Sequence, residues 1–310
     1  MGKATREAYG NALARIGKEN TNIIVLDADL SKSTKTDTFK AVCPERFFNV
    51  GIAEQNLISV GAGLAAAGKI PFVSSFSMFA TGRAFEQIRN AVCYPKLNVK
   101  VCATHAGITV GEDGATHQSL EDISCMRTLP NMTVVVPADE RETEAVIEWA
   151  ASYNGPVYVR LGRAGVDDVT TEGYSFVPGK STILVDGSDA TIIACGALVG
   201  PAVEASKTLS ESNISARVIN MASIKPIDAE AIIKVAAETG AIVTAEEHNI
   251  IGGLGSAVSE VVVSNKPVPM EFVGVQDTFG ESGIPKELMA KYGLTANDIV
   301  EAVKRVIARK

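Results

Sequence analysis

A chain of 310 residues with 46% hydrophobic content exceeds one typical domain and can bury a proper core, so length alone suggests two domains. No apolar run approaches the roughly 20 residues that cross a bilayer, and "MGKATREAYGNAL" at the start has neither the apolar stretch nor the cleavage site of a signal peptide, which points to a cytoplasmic protein with no membrane association. A net charge of -7 with dispersed Lys and Arg excludes the electrostatic footprint of a nucleic-acid binder and means that an anionic substrate must be gripped by a few placed cations.

In chain order, the first expected strand is "NIIVLDAD" (22 to 29), whose Asp27 and Asp29 read as strand-end structural acids rather than a metal pair. "NVGIAEQN" (49 to 56) then sets one acid, Glu54, at the mouth of a glycine- and alanine-rich run that reads as a helix. Strand "KIPFVSSF" (69 to 76), helix "ATGRAFEQIRNAV", strand "NVKVCATHAG" (98 to 107), strand "MTVVVPA" (132 to 138), helix "ERETEAVIEWAASY" and strand "PVYVRL" (156 to 161) follow. This is the βαβ rhythm of a parallel sheet. "AGVDDVTTEGYSFVPGK" breaks the rhythm, which restarts with "ATIIACG", "ISARVINM", "GAIVTAEEH" and "PMEFVGV". The reading is a first α/β domain over 1–168, a linker over 169–186 and a smaller α/β domain over 187–310.

Two glycine-rich pieces invite a nucleotide reading and lack its context. "GAGLAA" lies inside the helix after Glu54 rather than directly after a strand, and "GGLGSAV" is separated from its strand by "HNII". Both are expected to let a helix approach its neighbour closely. The five cysteines are odd in number, scattered and without C-x-x-C spacing, which argues against disulfides and structural zinc and for core thiols.

The densest polar cluster is "THAGITVGEDGATHQSLED", Thr104 to Asp122, beginning where the third strand should end. It holds two of the three histidines, His105 and His117, with Asp113 between them. Ligands of open α/β sheets gather at the carboxyl ends of strands, so a site is the better reading of this loop. The wide spacing of the histidines, with no further partner, does not make a metal set.

"GIAEQN", "SFSMFATGRAFEQIR", "THAGITVGEDGATHQ" and "LPNMTVVVPAD" together resemble the pyrimidine-binding domain of transketolase, in nearly the family's order and spacing. The stretch from "ATIIACGALVGPAVEA" through "EEHNIIGGLGSAV" resembles the transketolase C-terminal domain, so the resemblance covers essentially the whole chain. "GEDGATHQ" is specific, whereas "GIAEQ" is shared with deoxyxylulose-phosphate synthases.

The resemblance implies thiamin diphosphate as cofactor. In the family a Glu hydrogen-bonds the pyrimidine ring nitrogen and favours the tautomer that removes the thiazolium C2 proton; Glu54 matches it. Its environment agrees, since a carboxylate among apolar groups loses solvation and shares a proton with a ring nitrogen more readily. A first-turn helix acid is the other reading, and context alone leaves both open. Phe76 and Phe79, three apart, would share a helix face and read as core by spacing; in the family the matching aromatics line the pyrimidine pocket. A third aromatic of the family falls at Gly82, which implies a pocket trimmed on that side. Arg6, Ser33, His105 and Arg163 match positions near a substrate phosphate, Asp113 the acid that reads the sugar hydroxyl beside the carbonyl, and His117 a catalytic group at the donor carbonyl. For Arg6 and Ser33 an exposed Arg and a loop Ser remain open.

Thiamin enzymes hold the diphosphate and Mg2+ with a G-D-G motif followed some thirty residues later by Asn, and this sequence contains none. The resemblance therefore implies the C-terminal half of a split transketolase. It would transfer a two-carbon ketol unit between phosphorylated sugars, need an N-terminal subunit that supplies the Mg2+ ligands, and associate into a heterotetramer. The alternatives are the beta subunit of a 2-oxo acid dehydrogenase, half of a deoxyxylulose-phosphate-synthase-like enzyme, and a non-catalytic assembly or regulatory subunit on the same fold. The intact histidine loop speaks against the first two. Retention of Glu54, His105, Asp113 and His117 speaks against the third.

Overall fold

The computed structural model describes residues 2–310. Its strands are β1 (Ile23–Asp27), β2 (Phe47–Asn49), β3 (Ile70–Phe76), β4 (Lys100–Thr104), β5 (Thr133–Val135), β6 (Val157–Arg160), β7 (Thr182–Val185), β8 (Ala190–Ala194), β9 (Ala216–Asn220), β10 (Ser223–Lys225), β11 (Ile242–Asn249) and β12 (Met270–Val275). They form a sheet of order β10-β5-β6-β4-β3-β1-β2 and a second of order β12-β11-β8-β9-β7. Both are parallel apart from one antiparallel edge each, β10 on β5 and β7 on β9. These are the two α/β domains that the alternating pattern implies.

Parallel strands covered by helices on both faces must be apolar on both sides of the pleat. β1, β4, β6 and β8 are buried at every position, which is why they read as unbroken runs. Even Lys100 in β4 is fully buried, its Nζ donating to the carbonyl oxygens of Tyr153 and Gly155 at 2.7 and 2.8 Å. The glycines act as spacers. A Cβ on Gly61 would stand 2.7 Å from Val73 Cγ1 of β3, and one on Gly253 would stand 2.0 Å from a Glu246 carboxylate oxygen. That carboxylate accepts from the amides of Leu254 and Gly255 and so caps the helix Leu254–Asn265. Four cysteines are buried and Cys125 is half-buried, all of them free thiols. Among the described residues no helix is long and apolar enough to cross a membrane.

Three features depart from the pattern. β7 falls inside the segment 169–186, where a linker is expected, and β10 leaves the second domain to complete the first sheet. Strands of three or four residues carry no measurable period, and β7 is only half-buried, so neither announces itself. The expected helix over 80–92 is instead two wide π-helical stretches, Met78–Arg83 and Ile88–Cys93, around a short α-turn. Phe76 ends β3 while Phe79 lies in the helical segment that begins at Met78, so the two aromatics do not share a helix face as their spacing suggests; their rings stack with centroids 5.9 Å apart across the junction. The domains are packed rather than tethered, since one apolar core runs from Val73 and Ile123 to Ile219, Ile224 and Leu254.

Candidate active site

The carboxyl ends of β1, β3 and β4 lie side by side, and the loops leaving them carry most of the residues singled out by the sequence. After β1, the buried Asp27 carboxylate accepts from the Leu30 amide (2.6 Å), Thr34 Oγ1 (2.7 Å) and Thr36 Oγ1 (2.9 Å). This fixes the turn that presents Ser33. Burial pushes the Asp27 carboxyl up while these bonds pull it back. Asp29 is exposed, at φ 63°, and tied to Asn49 rather than to a metal partner. Arg6, at the start of the helix Thr5–Glu19, donates from Nη1 to the Ser33 carbonyl at 2.9 Å and lies 3.4 Å from His105 Nε2. Its Nε is buried without a hydrogen-bond partner.

His105 follows β4 in a left-handed conformation, φ 57°, which a non-glycine residue keeps only when its surroundings hold it. The ring stacks on Phe76 with centroids 3.8 Å apart. Because Nε2 faces a guanidinium donor, the proton belongs on Nδ1, 2.9 Å from Thr104 Oγ1. Burial, then the charges of Arg6, Arg163 and His117, pull its pKa down to about 3, so the imidazole is neutral at physiological pH. His117 meets Phe79 and Phe76 edge-on, at 5.3 and 6.2 Å between centroids. Arg163 donates to the Val110 carbonyl and stands 3.3 Å from Glu112 and 3.7 Å from Asp113, closing on the loop between the two histidines.

Glu54 is the first residue of the helix Glu54–Ala66 and only 2% exposed. Both readings of it therefore hold in geometry, as a helix-start acid and as a buried carboxylate facing a cleft. That cleft, about 230 Å³, is walled by Leu30, Ile52, Phe79 and Arg83. Glu54 does not stand alone among apolar groups, because Arg83 Nη1 donates to its Oε2 at 2.8 Å and lies 4.8 Å over the Phe79 ring. Sequence reasoning missed Arg83. The signal was there in its offset of four from Phe79, which places the two side chains on one helical face, but nothing in that spacing shows that the guanidinium reaches on to Glu54, 29 positions away. At Gly82, a Cβ would meet the Met78 methyl at 2.8 Å, so a methionine covers the side where the family carries an aromatic.

The two stacked phenylalanines are thus the hub. His105 stacks on Phe76 and His117 meets both rings edge-on, Arg83 lies over Phe79 and holds Glu54, Arg6 joins His105 to the Ser33 carbonyl, and Arg163 closes on Asp113. All nine expected residues converge on one end of the first sheet. The result is a buried carboxylate beside an aromatic wall, next to a cluster of cations and neutral imidazole suited to an anionic polar ligand.

Residues 1–167 match the family model described as transketolase, pyrimidine binding domain, and residues 179–299 that described as transketolase, C-terminal domain. A solved structure described as split gene transketolase, inactive beta4 tetramer, superimposes with a TM-score of 0.94 at 57% identity, covering 100% of both chains. A Methanocaldococcus jannaschii protein provisionally described as a transketolase C-terminal section is 53% identical over 97% of this chain and 95% of its own length. The 6-deoxy-6-sulfo-D-fructose transketolase subunit of Clostridium sp. (strain MSTE9) is 43% identical over 98% of this chain and 95% of its own length. The chain belongs to the transketolase family, of which it carries the pyrimidine-binding and C-terminal domains.

Proposed function

We propose that this chain is the C-terminal subunit of a split transketolase that moves a two-carbon ketol unit between phosphorylated sugars, together with an N-terminal subunit. The observation that carries the reading is the pairing of a buried Glu54 beside Phe79 with the Arg6, His105 and Arg163 cluster one aromatic pair away. The first fits the pyrimidine end of thiamin diphosphate: a carboxylate for a ring nitrogen, an aromatic face, and apolar walls from Ile52 and Leu30. The diphosphate end finds no such fit. The sequence carries no G-D-G motif followed some thirty residues later by Asn, and on that ground Mg2+ and its ligands are assigned to the partner.

When bound, thiamin diphosphate supplies the nucleophile for ketol transfer. Glu54 holds a proton at the pyrimidine nitrogen, and Phe76 and Phe79 orient the ring and exclude water. His117, edge-on to both rings, hydrogen-bonds the donor carbonyl region, and Asp113 reads the neighbouring hydroxyl. Arg6, with its unpartnered Nε, together with Ser33, neutral His105 and Arg163, receives the distal phosphate. The name of the Clostridium relative specifies a sulfonate in the distal position, and a guanidinium set of this kind would grip either anion.

Ile52, 78% exposed on the rim of the Glu54 cleft, and Phe48, 48% exposed on the edge strand, offer the N-terminal subunit an apolar contact. The description of the similar split protein as an inactive beta4 tetramer supports both self-association and dependence on a partner, and the heterotetramer is our proposal for the working assembly. The reading is tested by mixing the purified chain with the N-terminal subunit: ketol transfer and tight thiamin diphosphate binding are expected only in the mixture. Turnover by the single chain with Mg2+ and cofactor would overturn the split arrangement. Turnover of 2-oxo acids without any use of phosphosugars would favour the dehydrogenase alternative.

A further inference from the structure

The second domain holds the histidine loop at several points, and one of them is a buried side chain. Glu247, near the carboxyl end of β11 and 4% exposed, accepts from the Thr109 amide through Oε1 at 2.6 Å. Its own carbonyl accepts from Arg160 Nη2 at 2.8 Å, and Arg160 is bound through Asp122 to Tyr158, whose hydroxyl lies 2.8 Å from Ser77 Oγ, between Phe76 and Met78. Gly107 is shaped to this carboxylate, since at φ 86° a Cβ would stand 2.3 Å from it. Downstream, Gln118 Nε2 donates to the Glu281 carbonyl at 2.9 Å, and the Asn249 amide donates to the Leu120 carbonyl at 2.8 Å. The segment 107–120, which carries Asp113 and His117, is therefore pinned to the second domain at both ends.

We infer that Glu247 is a positioning residue: its carboxylate, reaching across the domain boundary to Thr109, sets the loop that places Asp113 and His117 against the donor sugar. The inference rests on the transketolase reading for the sugar, but not for the anchor itself. It gives the C-terminal domain a task in the reaction, as a second support of the substrate loop beside the Arg163–Val110 contact made within the first domain. A carboxylate suits this place because the Thr109 amide points into a dry interface and needs an acceptor, which a glutamine can also provide.

The test uses Glu247→Ala and Glu247→Gln in the reconstituted complex, with Glu301→Ala, on an exposed helix face, as control. The Ala variant is expected to raise KM for a phosphorylated ketose donor about 10- to 30-fold, with thiamin diphosphate affinity by calorimetry unchanged within about twofold. The Gln variant is expected to return to within about threefold of wild type. In the free chain, hydrogen exchange of the Thr109 amide should be slow in wild type and Gln and fast in Ala. Retained protection in the Ala variant overturns the anchor. Lost protection with unchanged KM overturns the positioning role. A collapse of cofactor affinity and kcat along with KM, not rescued by Gln, reduces Glu247 to general packing and also overturns it. Absence of ketol transfer in the wild-type complex would instead overturn the functional reading, while amide exchange still reports on the anchor.

Discussion

Arg83 Nη1 donates to Glu54 Oε2 at 2.8 Å, so the one acid in the glycine-rich entry to the helix Glu54–Ala66 is bound to a guanidinium lying on the Phe79 ring. The pair is lopsided. The Glu54 side chain is 2% exposed and that of Arg83 is 51% exposed, so the acid depends on the pair far more than the cation does. Replacing Arg83 with Met should leave a buried carboxylate unpaired and lower stability by about 1–3 kcal/mol, discounted from a fully buried pair because Arg83 is half in water. Urea unfolding of Arg83→Met, Glu54→Gln and the double variant checks this: the double variant should be less damaged than the sum of the two singles. Simple additivity would mean that the two side chains are not coupled.

Glu54→Gln keeps the shape of the side chain and removes the charge proposed to act on the pyrimidine nitrogen. Activity of the reconstituted complex should fall about 10²- to 10⁴-fold, the range of positioned acid–base groups. Exchange of the cofactor C2 proton, followed by NMR in the assembled complex, should slow in parallel. Unchanged exchange would remove Glu54 from the proton-transfer role.

Arg163 serves two neighbours, the proposed phosphate and the Val110 carbonyl in the Asp113 loop. Arg163→Ala should lower kcat/KM for phosphorylated donors about 10- to 100-fold. With hydroxypyruvate, which has no phosphate, only the loop contact is lost and the drop should be several-fold smaller. Equal losses with both donors would make Arg163 a purely structural tie and place the anion site elsewhere.

His105 links folding to pH in a definite direction. Its folded value of about 3 lies below the ordinary histidine value of roughly 6.5, so between the two the unfolded chain binds a proton that the folded chain does not. The stability held this way is complete above pH about 6.5 and falls as pH drops toward 3, by up to about 1.4 kcal/mol per unit. His105→Asn, which tolerates the left-handed backbone, should therefore lose less stability than wild type between pH 7 and pH 4.5 in parallel urea titrations. The His105 ring resonances should also stay flat from pH 8 to 5. A titration midpoint near 6.5 in the folded chain would contradict the neutral imidazole.

Much of this was legible before any coordinates. Long buried strands of a parallel sheet are apolar on both faces, so β1, β3, β4, β6 and β8 stand out as unbroken runs. The histidine loop stands out because glycine, Asp and His concentrate where a strand ends. The short edge strands β2, β7 and β10 did not show, since runs of three or four residues carry no period. The π-helical widening after β3 was equally silent, because "ATGRAFEQIRNAV" satisfies an ordinary helix just as well.

The sequence by itself determined the two α/β units, the family motifs and the chemical kinds present: one acid at a helix mouth, two aromatics, two histidines and a few cations. Tertiary structure decided who meets whom. Arg6 and His105 are 99 positions apart, and only the side-by-side order of β1, β3 and β4 brings them to 3.4 Å. Glu247 is 138 positions from Thr109, and no local pattern marks a carboxylate that will accept an amide from another domain. Arg83 is 29 positions from Glu54, and only the packing of its helical segment against the helix Glu54–Ala66 brings the guanidinium onto that carboxylate. Periodicity reports which side of an element is dry; the partner across the dry interface depends on strand order, loop path and domain packing, which are set by burial summed over the whole chain.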